Sequence, residues 1–177
     1  MPNWCSNTIG ITGPADQITA LWQAAQAGED AGLLQAMVPM PAELDDTVAD
    51  GGAGMNWYNW RVANWGTKWD VTLEDLELVD NGDGTATITG YADSAWSPPI
   101  DAFAAYCEAN PQVTAELKYF EPGMSFIGVW STESGDVYWE DVGEIAKNGT
   151  DDTTLDQLME DFNVWDWYET DDEETVE

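Results

Sequence analysis

Residues 4–28 read WCSNTIGITGPADQITALWQAAQAG, and this stretch sets the pattern that the rest of the chain repeats. Trp4 to Thr12 alternate weakly between apolar and polar side chains, which predicts a strand. Gly13-Pro14 then ends the strand, and proline suits the first turn of a helix. Apolar residues recur at i, i+3, i+4 and i+7 from Ile18 onward, so Ala15 to Gly28 are predicted to form an amphipathic helix.

The same succession of strands and a helix is predicted downstream. Asp80 to Gly84 are typical of a hairpin turn between two strands, and Ser97-Pro98-Pro99 favour the start of a second helix that Asn110-Pro111 ends. The predicted later strands are Asp70 to Val79, Thr85 to Ala92, Val113 to Phe120, Ser125 to Trp130 and a possible extension over Val137 to Trp139. Strand, helix, strand, strand, helix, strand predicts an α+β fold, a ferredoxin-like split βαβ sandwich with an antiparallel sheet.

The C-terminal segment differs in composition from the rest. Thr154 to Gln157 form a capping-box pattern, and an apolar helical stripe begins at Leu155. We therefore expect a domain over residues 1–148, with a partly helical Trp-rich insertion near 55–70, and an acidic helix and tail over residues 149–177 docked on it. The last residues of this tail are expected to be mobile, as exposed runs of like charge usually are.

The net charge of the chain is the feature that bears most on function. The sequence has 35 Asp and Glu against 4 Lys and Arg, which gives a formal net charge of −31. Such a charge repels nucleic acids and anionic membranes, so direct binding to either is not expected. It attracts a basic partner, typically a protein that itself binds nucleic acid. Adaptation to salt or solubility is the alternative explanation, although such adaptation usually keeps more Arg than this chain does.

Composition excludes most catalytic chemistry. The chain has no His and only Cys5 and Cys107, which are far apart and without CxxC spacing. Thiolates alone therefore cannot make a structural zinc site, and no imidazole is available to activate a nucleophile. The turn at Asp80 to Gly84 lacks the ligand pattern of a calcium loop. We expect no enzyme activity, no cofactor and no metal. The N-terminus lacks a secretion signal and no apolar run could span a membrane, so we expect a cytoplasmic protein.

The Trp-rich segment allows two interpretations. Aromatic rings with a few polar groups could line a ligand pocket. They could equally form a plug in the core, with asparagines bonded to the backbone and Arg61 and Lys68 held in internal pairs, and we favour this second interpretation. The residues concerned are Asn59, Trp60, Arg61, Asn64, Trp65, Lys68, Trp69 and Trp96.

The segments MPNWC (residues 1–5), NWRVANWGTKWD (59–70), AWSPP (95–99) and YFEPG (119–123) carry a family resemblance. Through them the chain resembles the YubB ferredoxin-like family of phage and plasmid proteins over about residues 1–130. The resemblance implies a ferredoxin-like fold without an iron–sulfur cluster and an origin on a mobile element. It implies no activity, and the acidic tail lies outside it.

Together these observations favour an acidic phage- or plasmid-encoded inhibitor that mimics DNA. Its expected partner is a basic nucleic-acid-binding host defence protein, such as a CRISPR effector or a restriction enzyme, in the cytoplasm of the host cell. Carboxylates four residues apart on a helix are about 6 Å apart, a separation similar to that of phosphates along a DNA strand. The alternative is a solubility-adapted structural or small-ligand-binding domain that uses the Trp-rich segment. The predicted partner-binding carboxylates are Asp151, Asp152, Asp156, Glu160, Asp161, Asp166, Glu169, Asp171, Asp172, Glu173 and Glu174.

Overall fold

The computed structural model describes residues 3–28, 31–49 and 54–169, which form six strands and seven α-helices. The strands are β1 (Trp4–Pro14), β2 (Leu76–Asp80), β3 (Thr85–Ala95), β4 (Thr114–Glu121), β5 (Phe126–Ser131) and β6 (Gly135–Trp139). The helices are α1 (Ala15–Ala25), α2 (Leu33–Met37), α3 (Trp57–Trp65), α4 (Ile100–Ala109), α5 (Val142–Asn148), α6 (Thr153–Asp161) and α7 (Val164–Glu169). Residues 42–44 add one turn of 3-10 helix.

The strands form one antiparallel sheet in the order β2-β3-β1-β4-β5-β6. Strand β1 is central, because it pairs along its whole length with β3, from Trp4 opposite Ala95 to Pro14 opposite Thr85. On its other side it pairs with β4. The opening strand of the chain is therefore the one on which the sheet is built, and the α+β class with an antiparallel sheet is confirmed.

The inner face of the sheet carries the larger core. Alternate side chains of β1, among them Ile9 and Ile11, point to this face and are buried, which is what the period of two of a strand requires. Helices α1 and α4 cover them with Ile18 and Phe103, which are also fully buried. We call this cluster the inner core.

The outer face is covered mainly over β4 and β5. Phe120 and Ile127 point outward from these strands and are buried beneath the C-terminal helices, which contribute Leu155, Leu158 and Met159. We call this cluster the outer core. The apolar stripe predicted for the tail thus packs on the sheet. The side chains of β1 and β3 on the same face are half-buried or exposed, apart from the buried Ala95 at the end of β3.

Residues 70–75 correct one of the strand predictions, since β2 begins at Leu76 and not at Asp70. The carboxylate of Asp70 instead accepts hydrogen bonds from the backbone N–H groups of Leu34 (2.9 Å) and Gln35 (2.8 Å) in the first turn of α2. Helix α2 has no clear periodicity of its own because it has only five residues. The pairing of β2 with β3 ends at Leu76 opposite Gly90. A Cβ atom at Gly90 would collide with the carbonyl oxygen of Asp75.

Two helix ends also differ from the prediction. Helix α1 ends at Ala25, three residues before Gly28. Helix α6 is capped by Asp152, whose Oδ1 accepts hydrogen bonds from the backbone N–H groups of Thr154 (2.9 Å) and Leu155 (3.2 Å). The predicted capping box at Thr154 is therefore wrong, because an aspartate two residues earlier takes the capping position. Among the described helices, none combines the length and the apolar character that crossing a bilayer demands.

Candidate functional site

The asparagines of the Trp-rich segment hold its backbone in place. Asn56 caps the N-terminus of helix α3, and its Oδ1 accepts a hydrogen bond from the N–H of Asn59 (2.9 Å). The side chain of Asn59 donates to the carbonyl of Gly54 (2.8 Å), and that of Asn64 donates to the carbonyl of Trp60 (2.8 Å). These amides are engaged locally, as the interpretation as a core plug requires.

The inner part of the segment consists of the buried Trp65 and the half-buried Trp60. Trp65 is 1% exposed, and its Nε1–H donates to the carbonyl of Val38 (2.8 Å). The Trp60 ring packs edge-on against it, with ring centroids 5.9 Å apart and an interplanar angle of 84°. A large aromatic residue that is buried with its N–H satisfied is typical of a core position.

Arg61 lies between aromatic rings. Its guanidinium carbon is 4.9 Å from the centroid of Trp65 and 5.4 Å from that of Trp57. Its Nε is buried without a hydrogen-bond partner, and no described carboxylate lies within salt-bridge distance of the guanidinium. Within the described ranges, Arg61 thus forms cation–π contacts and not the close carboxylate pair that we expected, and the Asp70 carboxylate interacts with its charge only at longer range.

The outer part of the segment is exposed. Trp69 is 39% exposed and has the Lys68 Nζ over its ring, 3.9 Å from the centroid. Its other neighbour is Trp4, which is 47% exposed and whose ring centroid is 5.9 Å away. Trp96 is 42% exposed and follows Ala95, the residue paired with Trp4. We call Trp4, Trp69, Trp96 and Lys68 the tryptophan patch.

Hydrogen bonds tie the backbone beneath the tryptophan patch together. The Trp96 N–H donates to the carbonyl of Asn3 (3.0 Å), and the Thr67 Oγ1 donates to the carbonyl of Ala95 (2.9 Å). Gly66 follows α3 and caps its C-terminus in the left-handed conformation, at φ 81°, which turns the chain toward these contacts. The sequence predicted Trp69 and Trp96 as site residues but missed Trp4. The position of Trp4 in β1 could have identified it, because Trp4 lies on the same face of the strand as the polar residues Ser6 and Thr8.

The acidic surface lies on the C-terminal helices. Asp151, Asp156, Glu160 and Asp166 are exposed there. We call Asp156, Glu160 and Asp166 the acidic triad, because they project from α6 and α7 away from the outer core. The carboxylate of Asp152 is less available, since it caps α6.

Asp161 is the member of the predicted acidic set that has a cationic partner. Its Oδ2 accepts a hydrogen bond from the Nζ of Lys118 at 2.7 Å, and the two side chains form a salt bridge. This hydrogen bond, with a smaller contribution from Gln157, lowers the pKa of Asp161. Asp161 therefore stays ionised but is partly neutralised, and it offers less charge to a partner than the acidic triad does.

The predicted acidic site extends beyond the residues that the structure describes. Asp171, Asp172, Glu173 and Glu174 lie outside the described residues. Glu169 ends α7, and its side chain also lies outside the description.

The described cysteines and acids offer little reactive chemistry. Cys5 and Cys107 are both buried, and burial raises the pKa of each thiol, which keeps the nucleophilic thiolate scarce at neutral pH. No cluster of three or more metal-ligating side chains occurs in the part of the chain that the structure describes. A cleft of about 540 Å³ between α6 and the sheet has a mixed lining, with Glu116, Lys118 and Gln157 beside the apolar Val129 and Leu158.

Comparison of the chain with protein families, with curated proteins and with solved structures finds no match. The charge, exposure and contacts of the described residues are therefore the basis for a functional proposal.

Proposed function

We propose that this protein is a phage- or plasmid-encoded inhibitor that mimics DNA. It acts in the cytoplasm of the host cell and occupies the basic groove of a nucleic-acid-binding defence protein, such as a CRISPR effector or a restriction enzyme. The resemblance to the YubB family supports the mobile-element origin. The strand order β2-β3-β1-β4 supports a ferredoxin-like core, because β3 separates β1 from β2 and β1 separates β3 from β4, as in a split βαβ unit.

The placement of the four cations is the observation that carries the proposal. Arg61 and Lys68 lie against tryptophan rings, and Lys118 pairs with Asp161. Lys147 lies in the last turn of α5, where a positive charge complements the helix dipole. Three of the four cations are thus engaged by aromatic rings or a carboxylate, and Lys147 is exposed at the end of α5, while the acidic triad is left exposed. A surface arranged in this way attracts a basic groove at long range and offers it little repulsion.

The acidic triad also has a spacing suited to the role. Asp156 and Glu160 are four residues apart on α6, so they lie on the same side of the helix about 6 Å apart. Successive phosphates of a DNA strand have a similar separation. Carboxylates in these positions can therefore accept hydrogen bonds from Arg and Lys side chains that would otherwise contact phosphate oxygens.

The alternative is that the acids serve solubility alone, with the Trp-rich segment as a structural or ligand-binding element. Exposed acids on other parts of the fold, such as Glu74, Asp75 and Glu77 at the β2 edge, favour this alternative. The two hypotheses differ in whether function depends on the positions of the carboxylates. A DNA mimic needs its carboxylates on one surface, whereas solubility depends on their number.

Two matched triple variants test the proposal. One neutralises the acidic triad (Asp156→Asn, Glu160→Gln, Asp166→Asn), and the other neutralises the β2 edge (Glu74→Gln, Asp75→Asn, Glu77→Gln). The immobilised full-length proteins are used to capture proteins from nuclease-treated host lysate, with and without added duplex DNA. We expect the parent and the β2-edge variant to retain a nucleic-acid-binding protein that duplex DNA displaces, and the acidic-triad variant to lose it.

Because each exposed pair contributes only ~0.2–1 kcal/mol, the three changes are made together. Binding should also weaken as salt is raised, since the attraction is screened. A captured partner that ignores both DNA and salt, or one that both triple variants lose equally, would contradict DNA mimicry.

A further inference from the structure

The tryptophan patch brings three exposed tryptophans together on a strongly acidic chain, whose other exposed aromatic residues include Tyr91, Tyr138 and Trp167. Trp4, Trp69 and Trp96 are each 39–47% exposed. Trp4 pairs with Ala95 at the start of β1, and Trp96 follows Ala95 and donates its N–H to Asn3. The Trp69 ring packs against the ring of Trp4. The three tryptophans therefore lie together at one end of β1 and β3, in contrast to the single exposed aromatic residues that most proteins carry.

We infer that the tryptophan patch binds arginine side chains of the basic partner, by stacking of guanidinium groups on indole faces. This inference rests on the proposed function and adds a second kind of contact to it. The carboxylates attract the partner's charge, and the indoles favour arginine over lysine. A guanidinium is flat and weakly hydrated, so it stacks on an aromatic face better than an ammonium does.

The backbone of Trp96 supports a role for its ring. Its φ is 74°, in the left-handed region that bulky residues rarely adopt. The conformation is held by the hydrogen bond to Asn3 and by the Ser94 hydroxyl, which donates to the carbonyl of Ser97 (2.8 Å). A strained residue that is fixed by its surroundings and presents an exposed aromatic ring is typical of a binding surface.

The charges on and around the tryptophan patch indicate which kind of partner segment binds there. The Lys68 ammonium already lies over the Trp69 ring, so an indole of the patch accepts a cation in the folded protein. The net charge of −31 raises the local concentration of further cations around the patch. The same charge opposes a second copy of this chain, because two such molecules repel each other. A partner segment rich in arginine is therefore the occupant that the surface fits.

Two peptides of equal charge, nona-arginine and nona-lysine, test the inference by calorimetric titration of the full-length protein. We expect the parent to bind nona-arginine more tightly and to keep this preference at high salt, where attraction between charges is screened. Trp69→Leu and Trp96→Gly should each weaken nona-arginine binding by about 2- to 5-fold while changing nona-lysine binding less. Tyr138→Ala is the matched control, since Tyr138 is 57% exposed on β6 at the edge of the sheet and outside the patch.

Trp96→Gly keeps the test valid if Trp69→Leu unfolds the protein, because glycine readily adopts a positive φ. An arginine preference that is unchanged in the folded Trp96→Gly variant would overturn the inference. So would a dimer of the parent, seen by analytical ultracentrifugation, that Trp96→Gly dissociates. The acidic-triad variant should weaken both peptides equally and leave the preference intact. If duplex DNA fails to displace the cellular partner while the arginine preference persists, the DNA-mimic proposal falls and the stacking contact remains.

Discussion

The Trp-rich segment and the C-terminal helices both add aromatic residues to the sheet, but they treat charge in opposite ways. The Trp-rich segment carries Arg61 and Lys68 and places both against indole rings. The C-terminal helices expose the acidic triad, and the single salt bridge found between described residues joins Asp161 of α6 to Lys118 of the sheet. The Trp-rich segment thus places its cations against aromatic rings, whereas the C-terminal helices leave carboxylates exposed to solvent.

The two regions also differ in how they are anchored. Trp65 joins the inner core and bonds to the backbone at Val38, so the Trp-rich segment is integral to the domain. The C-terminal helices pack on the sheet through the smaller outer core. The difference indicates that the inner part of the Trp-rich segment serves folding, whereas the exposed side of the C-terminal helices is free to serve binding.

The largest expected effect tests the anchoring of the Trp-rich segment. Trp65→Ala should lower the free energy of unfolding by about 3–5 kcal/mol, because it leaves a cavity in the inner core and an unpaired carbonyl at Val38. Trp69→Ala, in the exposed part of the same segment, should cost less than about 1 kcal/mol. Urea denaturation measures both. Equal costs for the two variants would mean that the segment has no distinct inner part.

The next effect concerns the outer core. Leu158→Ala should cost about 2–3 kcal/mol, because Leu158 is buried between α6 and the sheet. We also expect the amides of α6 to exchange with deuterium faster than those of β1 in this variant, since the smaller core opens locally. Glu160→Gln, on the exposed side of the same helix, is the control and should leave exchange in α6 unchanged. Uniform acceleration across β1 and α6 would show that the two cores unfold as one unit.

The sequence predicts well which side chains of the regular strands and helices are buried. The alternation around Ile9 and Ile11 and the stripe from Leu155 to Met159 predict which side chains are buried, because burial follows the period of the element. Features fixed by distant contacts are not predictable in this way. The cap that Asp70 gives to α2 joins residues 36 positions apart, and the stack of Trp4 on Trp69 depends on the fold of everything between them.

A smaller effect tests the turn between the two parts of the Trp-rich segment. Gly66→Ala should destabilise the protein by about 1–2 kcal/mol, because alanine disfavours the left-handed conformation. Its Cβ would also lie 3.1 Å from the carbonyl oxygen of Pro98. Gly149→Ala is the matched control, with φ 80° and no atom near its Cβ position, so it should cost only the conformational part. Thermal denaturation compares them, and an equal loss in both variants would show that the contact at Pro98 contributes nothing.

The smallest effect concerns the pair between Lys118 and Asp161, the point at which the acidic helices meet a cation. A double-mutant cycle with Lys118→Gln and Asp161→Asn should give a coupling of ~0.2–1 kcal/mol at pH 7, because both side chains are partly exposed.

The hydrogen bond from Lys118 lowers the pKa of Asp161 in the folded protein. The folded state thus binds this proton more weakly than the unfolded state does. The coupling should therefore be complete above the unfolded pKa of Asp161 and disappear as the pH falls through the lowered folded value. A parallel cycle with Lys118→Gln and Asp156→Asn should show little coupling at any pH. A Lys118–Asp161 coupling that persists in strong acid would mean that the two side chains interact through packing and not through charge.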